Sequence, residues 1–248
     1  MQVALLDVAK SLQYSFTMTT LGKPDACCCV CYAADGGVFT GSKNGIRKFN
    51  SNYLPTKFTG KCREVTDIAE CGNRFFVLYH TYDKTKVSEL KDGFSSQVTL
   101  FHIADIANIK PYKKLKMAVS KAGIVITGCN WKALFAYGFF SRACKKLVVP
   151  QHELHFDVCF TSKTSLLVVG SDRLSLYDLK TETVMWLCDQ LSDAHHVTRD
   201  PSSGLIYVVG HINKTVYIIS PTGTFVINYR FLFFSSNFGC YHSPSFVK

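Results

Sequence analysis

The sequence predicts an all-β fold built from repeats of one four-stranded antiparallel unit, and three observations predict it. Apolar residues alternate with a period of two through most of the chain, and no segment sustains a 3.6-residue period over three turns. β-Branched and aromatic residues are abundant, with 19 Phe and 12 Tyr among 248 residues. A short apolar phrase recurs five times: Gly37-Val38-Phe39-Thr40-Gly41, Phe75-Phe76-Val77-Leu78-Tyr79, Ile124-Val125-Ile126-Thr127-Gly128, Leu166-Leu167-Val168-Val169-Gly170 and Ile206-Tyr207-Val208-Val209-Gly210. Their starts lie 38, 49, 42 and 40 residues apart. With the polar stretch 83–96 read as an insertion, every interval is close to ~40 residues.

The flanks of the phrase repeat as well. A strand-like segment precedes each one, at 27–33, 65–70, 116–120, 155–160 and 195–199, and a turn such as Ala34-Asp35-Gly36 or Pro201-Ser202-Ser203-Gly204 separates the two. A third strand follows at 46–49, 97–103, 132–137, 174–179 and 216–220, then a weaker fourth, as at 184–188 and 224–229. A four-stranded meander that is apolar on both faces cannot bury both alone. Stacking such meanders about an axis buries each against its neighbours and leaves only short edges. The expected architecture is therefore a β-propeller over residues 1–230, with blades near 25–60, 61–115, 116–150, 151–190 and 191–230. Residues 2–19 read as the terminal strands of a partial blade, and 231–248 as an irregular tail. Five blades are recognisable, and a ring with one or two more is left open.

Composition bounds the rest. Apolar residues make up 47% and charged residues 19%, which supports a packed core and argues against disorder. Lys and Arg total 28 against 18 acidic residues, a formal +10 that favours acidic partners without choosing among them. The first residues lack the pattern of a signal peptide, and no apolar run reaches the ~18 residues of a membrane span. A cytoplasmic location with reduced thiols is expected for the 11 cysteines. The sequon Asn213-Lys214-Thr215 matters only in a secreted chain.

Leu174-Ser175-Leu176-Tyr177-Asp178-Leu179 resembles the third strand of a WD repeat, with Tyr177 where Trp is usual and Asp172 near that family's structural turn. The segments 201–209 and 216–223 resemble an NHL-type repeat. No blade has the Gly-His pair of WD repeats, so the resemblance supports the superfamily more than either family. It implies an interaction platform, and NHL propellers of ubiquitin-ligase proteins also bind RNA or substrate proteins. The stretch 178–186 resembles the docking phrase of quinoprotein-like blades once, with Glu182 where Gly is usual, which implies no cofactor.

Candidate chemistry is sparse. Cys27, Cys29 and Cys31 alternate on one strand face beside Cys28, but no second Cys-x-x-Cys pair completes a tetrahedral set, so no metal is expected. His195 and His196 are adjacent and face opposite ways on a regular strand. His152, His155 and Asp157 have the residue types of a site, as do many turns. No Gly-x-Ser-x-Gly elbow, Walker loop or His-Glu-x-x-His occurs, so neither catalytic residues nor cofactors are expected. The basic residues form the candidate binding surface: Lys43, Arg47 and Lys48, followed by Lys57, Lys61 and Arg63; Lys110, Lys113, Lys114 and Lys116 with Tyr112; and Arg142, Lys145 and Lys146. If equivalent turns emerge on one ring face, these merge into a surface for RNA or an acidic peptide. The expected function is non-catalytic protein binding by a loop-built face, within a larger assembly of the ubiquitin-ligase or trafficking type. An RNA-binding propeller and a propeller hydrolase or lactonase are the alternatives. The hydrolase requires several carboxylates lining the channel.

Overall fold

The computed structural model describes residues 27–33, 35–52, 54–82, 84–91, 96–104, 115–128, 131–150 and 154–230. Among the described residues, twenty strands form five four-stranded antiparallel sheets, each in simple sequential order. Blade 1 holds β1 (Cys27–Tyr32), β2 (Val38–Ser42), β3 (Gly45–Phe49) and β4 (Pro55–Thr59). Blade 2 holds β5 (Val65–Cys71), β6 (Arg74–His80), β7 (Thr85–Lys91) and β8 (Ser96–His102). Blade 3 holds β9 (Leu115–Val119), β10 (Gly123–Gly128), β11 (Leu134–Gly138) and β12 (Cys144–Leu147). Blade 4 holds β13 (Asp157–Phe160), β14 (Ser165–Val169), β15 (Leu174–Asp178) and β16 (Thr183–Cys188), and blade 5 holds β17 (Ala194–Arg199), β18 (Ile206–Gly210), β19 (Thr215–Ile219) and β20 (Phe225–Arg230). The partial blade read at 2–19 and the tail at 231–248 lie outside the described residues.

The five sheets stand in a ring. β1 lies against β5, β5 against β9, β9 against β13, and β13 against β17, so the first strand of each blade faces the axis. The recurring phrase is the second strand of every blade, and its alternate residues serve opposite neighbours. Val77 and Tyr79 pack with blade 1, while Phe76 and Leu78 pack with blade 3. Leu166 and Val168 join blade 3, and Leu167 and Val169 join blade 5. Both faces of these strands are thereby removed from water, at roughly 1.5–3 kcal/mol for each large side chain.

One sequence expectation is corrected. The stretch 83–96 is not a loop insertion, because β7 occupies half of it and is the third strand of blade 2, and the segment 97–103 falls mostly in the fourth strand, β8. The strand escapes a hydrophobicity pattern because its buried residues include Thr85, Ser88 and Glu89. Each is satisfied across the sheet: Thr85 Oγ1 lies 2.6 Å from His80 Nδ1, Ser88 Oγ lies 3.3 Å from Tyr79 OH, and Glu89 accepts from Arg74 at 2.8 and 3.0 Å. A hydrogen-bonded polar strand can replace an apolar one in a core at little net cost. The extra length of this repeat falls between β8 and β9, where residues 105–114 lie outside the described residues.

Gly45 opens β3 at φ +145°, and a Cβ there would collide with the backbone carbonyl of Thr59 on β4. Backbone cannot step aside as a flexible side chain can. Gly45→Ala is expected to cost ~2 kcal/mol or more, read as a fall in thermal midpoint. An unchanged midpoint would show that the outer strand of blade 1 is free to shift.

Candidate functional site: the central channel

The first strands of the five blades line an axial channel with a cavity of about 200 Å³, bordered by Val30, Asp67, Lys116, Asp157, Cys159 and Val197 among others. Strand register explains which side chains reach it. Val30 pairs with Thr40, Asp67 with Leu78, Lys116 with Thr127, Asp157 with Val169, and His196 with Val209. Each partner is the fourth residue of the recurring phrase. Val30, Asp67, Lys116, Asp157 and His196 are therefore the same position in five successive blades, and four of the five are polar.

The polar members tie blades together. Asp67 Oδ1 accepts from Ile68 N at 3.1 Å in its own strand, and Oδ2 accepts from Met117 N at 2.7 Å in the next blade. Asp157 repeats the arrangement, with Oδ1 accepting from Val158 N at 2.9 Å and Oδ2 from Val197 N at 3.1 Å. The axial edge of an innermost strand has no neighbouring strand, so its N–H groups need side-chain acceptors. The two carboxylates supply them, and both are buried. His196 Nδ1 lies 3.3 Å from Asp157 Oδ2.

Opposite charges meet in the ring. Burial pushes the Asp67 carboxyl up to about 6, and nearby Asp157 adds to this, while Lys116 and the backbone donors of Met117 and Ile68 oppose it. Burial pulls the Lys116 ammonium down, but the Asp67 and Asp157 carboxylates outweigh it and hold the group above its usual range. Lys116 is thus a fixed cation between two carboxylates. Among the described residues no group of three or more His, Cys, Asp or Glu is placed to hold a metal ion.

The thiols beside the channel are packing groups. Cys29 and Cys31 join the apolar cluster between blades 1 and 2, and Cys28 is exposed, the strand being irregular between Cys27 and Cys29. Burial, reinforced by Glu70 and Asp67, pushes Cys31 up to about 12, and burial with Asp157 does the same for Cys159. A thiol held that high has no thiolate at neutral pH. Iodoacetamide on the native protein is therefore expected to label Cys28 and Cys144 and to spare Cys31 and Cys159, read by peptide mapping. Labelling of all four at equal rates would contradict the packing.

The remaining sequence candidates fall in several places. Lys43 sits in the β2–β3 turn, with Lys61 and Arg63 in the connection to blade 2 at the same end of the ring. Arg142 sits in the β11–β12 turn, at the opposite end, because turns alternate ends along an antiparallel meander. Arg47 and Lys48 are in β3: Arg47 lies 6.0 Å over the Phe58 ring, and Lys48 pairs with Asp35 at 2.7 Å. Lys57, Lys145 and Lys146 lie on outer strands, and Lys145 pairs with Glu182 of blade 4. Lys116 points into the channel rather than joining a surface run. Lys110, Tyr112, Lys113, Lys114 and His152 lie outside the described residues. His155 is buried, with Nδ1 2.9 Å from the Trp131 carbonyl, and burial lowers its pKa. His195 packs on Phe156 at 4.4 Å and lies 3.5 Å from Asp193, and its ring is 6.5 Å from that of His196, the strand being irregular between Ala194 and His196.

The channel ring was missed as a unit from sequence, although aligning the strands that precede the phrase would have found it. One position of the five first strands reads Val, Asp, Lys, Asp, His.

No family model and no curated protein matches the chain. Solved structures do. A chain of the nidogen/laminin complex superposes with a TM-score of 0.63 at 12% identity, over 82% of this chain and 80% of that one. The WD40 β-propeller domain of Doa1 superposes with a TM-score of 0.59 at 15% identity, over 83% of this chain and 69% of that one. No helix among the described residues is long and apolar enough to cross a membrane. At these identities the likeness concerns architecture, and with the five radial sheets it makes the chain a β-propeller.

Proposed function

We propose that the protein is a non-catalytic interaction scaffold that binds a protein partner through the end of the ring carrying the β2–β3-type turns and the blade-to-blade connections. The carrying observation is how the channel polar groups are used. Every oxygen of Asp67 and Asp157 already accepts a backbone N–H, and Lys116 stands between them as a counter-charge. Carboxylates so engaged hold blades together, whereas a hydrolase needs them directed at substrate or water. The loops at the proposed end carry what a partner would use. Tyr82, Val148 and Ile212 are large, apolar and exposed, and Lys43, Lys61, Arg63 and Lys84 are exposed at the same end of the ring. Exposed apolar anchors and charged groups together are what a recognition surface uses. Rigid blades hold such loops at little entropic cost.

The test compares the full chain with the triple variant Tyr82→Ala, Val148→Ala, Ile212→Ala and with a control, Leu54→Ala, Phe140→Ala, placed in turns at the opposite end. Quantitative affinity capture should show partners retained by wild type and control but reduced at least ~10-fold by the triple variant. Equal retention by all three would overturn the placement. Salt-sensitive binding of single-stranded RNA with no protein partner would replace the reading.

A further inference from the structure

The connection that enters blade 2 is laced by its backbone to both blades it joins. Glu64 N donates to Lys43 O in the β2–β3 turn at 2.9 Å, and His80 N, at the end of β6, donates to Glu64 O at 3.1 Å. The β6–β7 turn that follows is closed by Thr81, whose N and Oγ1 donate to Lys84 O at 2.7 and 2.9 Å. Glu64 sits between the two lacing bonds at φ +49°, a conformation that residues other than glycine keep only where their surroundings over-determine it. Three segments far apart in sequence are thereby held side by side over the junction of blades 1 and 2.

What these segments present is basic. Lys43, Lys61, Arg63 and Lys84 are all exposed, against Glu64 as the one acidic group among their described residues. Wholly exposed Tyr82 shares the turn of Lys84. Among the described residues, no carboxylate pairs with Lys43, Arg63 or Lys84. The same lacing recurs at blade 5 with the opposite sign. Ala194 N donates to Ser171 O in the β14–β15 turn at 2.8 Å, and His211 N donates at 3.1 Å to the carbonyl of Asp193, itself at φ +57°. There the chain brings its own carboxylate: Asp193 Oδ2 accepts from Ile212 N and from Asn213 N. The segments equivalent to those of Lys43 and Lys61 carry exposed Asp172 and Asp189. One copy of the motif is thus filled by an acid of the chain, and the other offers cations to an acid from elsewhere.

We infer that the laced segments over the junction of blades 1 and 2 are the docking site of an acidic linear segment of the partner protein, its carboxylates received by Lys43, Lys61, Arg63 and Lys84 and an apolar side chain set against Tyr82. The inference rests on the scaffold reading above and adds the chemistry of the ligand. The change of sign between blades 1 and 2 and blades 4 and 5 restricts an acidic segment to this arc of the ring, because like charges repel it from the other. Backbone lacing holds the cations at fixed spacing before the segment arrives, which lowers the ordering cost of binding.

The test measures binding of fluorescein-labelled deca-glutamate to the full chain by anisotropy at low salt. It compares wild type with the variant Lys43→Glu, Arg63→Glu, Lys84→Glu and with a control, Lys121→Glu, Arg142→Glu, Lys163→Glu, which makes the same change of net charge in exposed turns at the opposite end. The substituted side chains are exposed and the lacing uses backbone atoms, so both variants keep the fold. Wild type and control should bind, and the first variant should bind at least ~10-fold more weakly. Equal weakening in both variants would show that only net charge is read, and no binding by wild type would equally overturn the site. Tighter binding of deca-uridylate, lost in the first variant, would replace the acidic segment with RNA. The same charge variant in the affinity capture separates this inference from the scaffold reading. Partners lost with the apolar triple variant but kept by the charge variant would sink the acidic site alone, and partners kept by both would sink the two together.

Discussion

Asp157→Ala is expected to lower the unfolding free energy by about 3–5 kcal/mol. The substitution removes a buried carboxylate and leaves two backbone donors, Val158 N and Val197 N, facing the channel without their acceptor. It also removes the carboxylate oxygen that lies 3.3 Å from His196 Nδ1. Each orphaned buried donor costs ~1–3 kcal/mol, and Lys116 loses one of the two charges that hold its ammonium. For a chain of this length the thermal midpoint should fall by on the order of 10 °C. Asp157→Asn keeps the shape and one acceptor, and should lose less. Asp172→Ala is the control, because Asp172 is exposed beside Arg173, and it should stay within about 0.5 kcal/mol of wild type. If Asp157→Ala unfolds with the control, the carboxylates do not tie the blades.

The second large effect is a pH dependence. Burial raises the folded-state pKa of Asp67 from 3.8 to about 6. Between those values the folded protein holds a proton that the unfolded chain releases. The Asp67 contribution to stability is therefore full below pH ~3.8 and is lost as pH rises through ~6. At about 1.36 kcal/mol per unit, the swing is roughly 3 kcal/mol. Asp67→Asn cannot titrate, so the stability of wild type minus that of the variant should fall by this amount between pH 4 and 6.5 in urea titrations. A flat difference would sink the assignment. Other groups shape the acid side with the opposite sign. Arg74, and then Lys91, hold Glu89 at about 2 despite burial, and Asp200 is held at about 2 against burial by Ser203 and Ser202. Their contributions are present above their unfolded-state values and are lost as pH falls through ~2. Wild type should accordingly be most stable on the acid side of neutrality.

The fold was legible because its signal is repeated. A phrase that must pack on both faces is apolar at most positions, and five copies at a blade-length spacing are hard to produce by other architectures. β7 was not legible, because Thr85, Ser88 and Glu89 are buried by virtue of cross-strand partners, and no local pattern reports those partners. The ends of the ring were harder still. Lys43 and Arg142 are both turn residues near basic neighbours, yet one turn follows a second strand and the other a third, which sends them to opposite ends. The channel ring is the intermediate case. Asp67, Asp157 and His196 are polar residues on axial strands, and their equivalence depends on register, which the phrase spacing alone does not give.

The two aspartate ties join blade 2 to blade 3 and blade 4 to blade 5, while blade 1 offers Val30 at the equivalent position and blade 3 offers Lys116. Mechanically the aspartate ties make two clamped pairs. The junction of blades 3 and 4 is held by other means, the buried Trp131–His155 bridge and, at its rim, the exposed Lys145–Glu182 contact. Subglobal opening should begin at the junction of blades 1 and 2, where the described residues show neither an aspartate tie nor a β-bridge. A partner that grips the ring across that junction would stiffen it most.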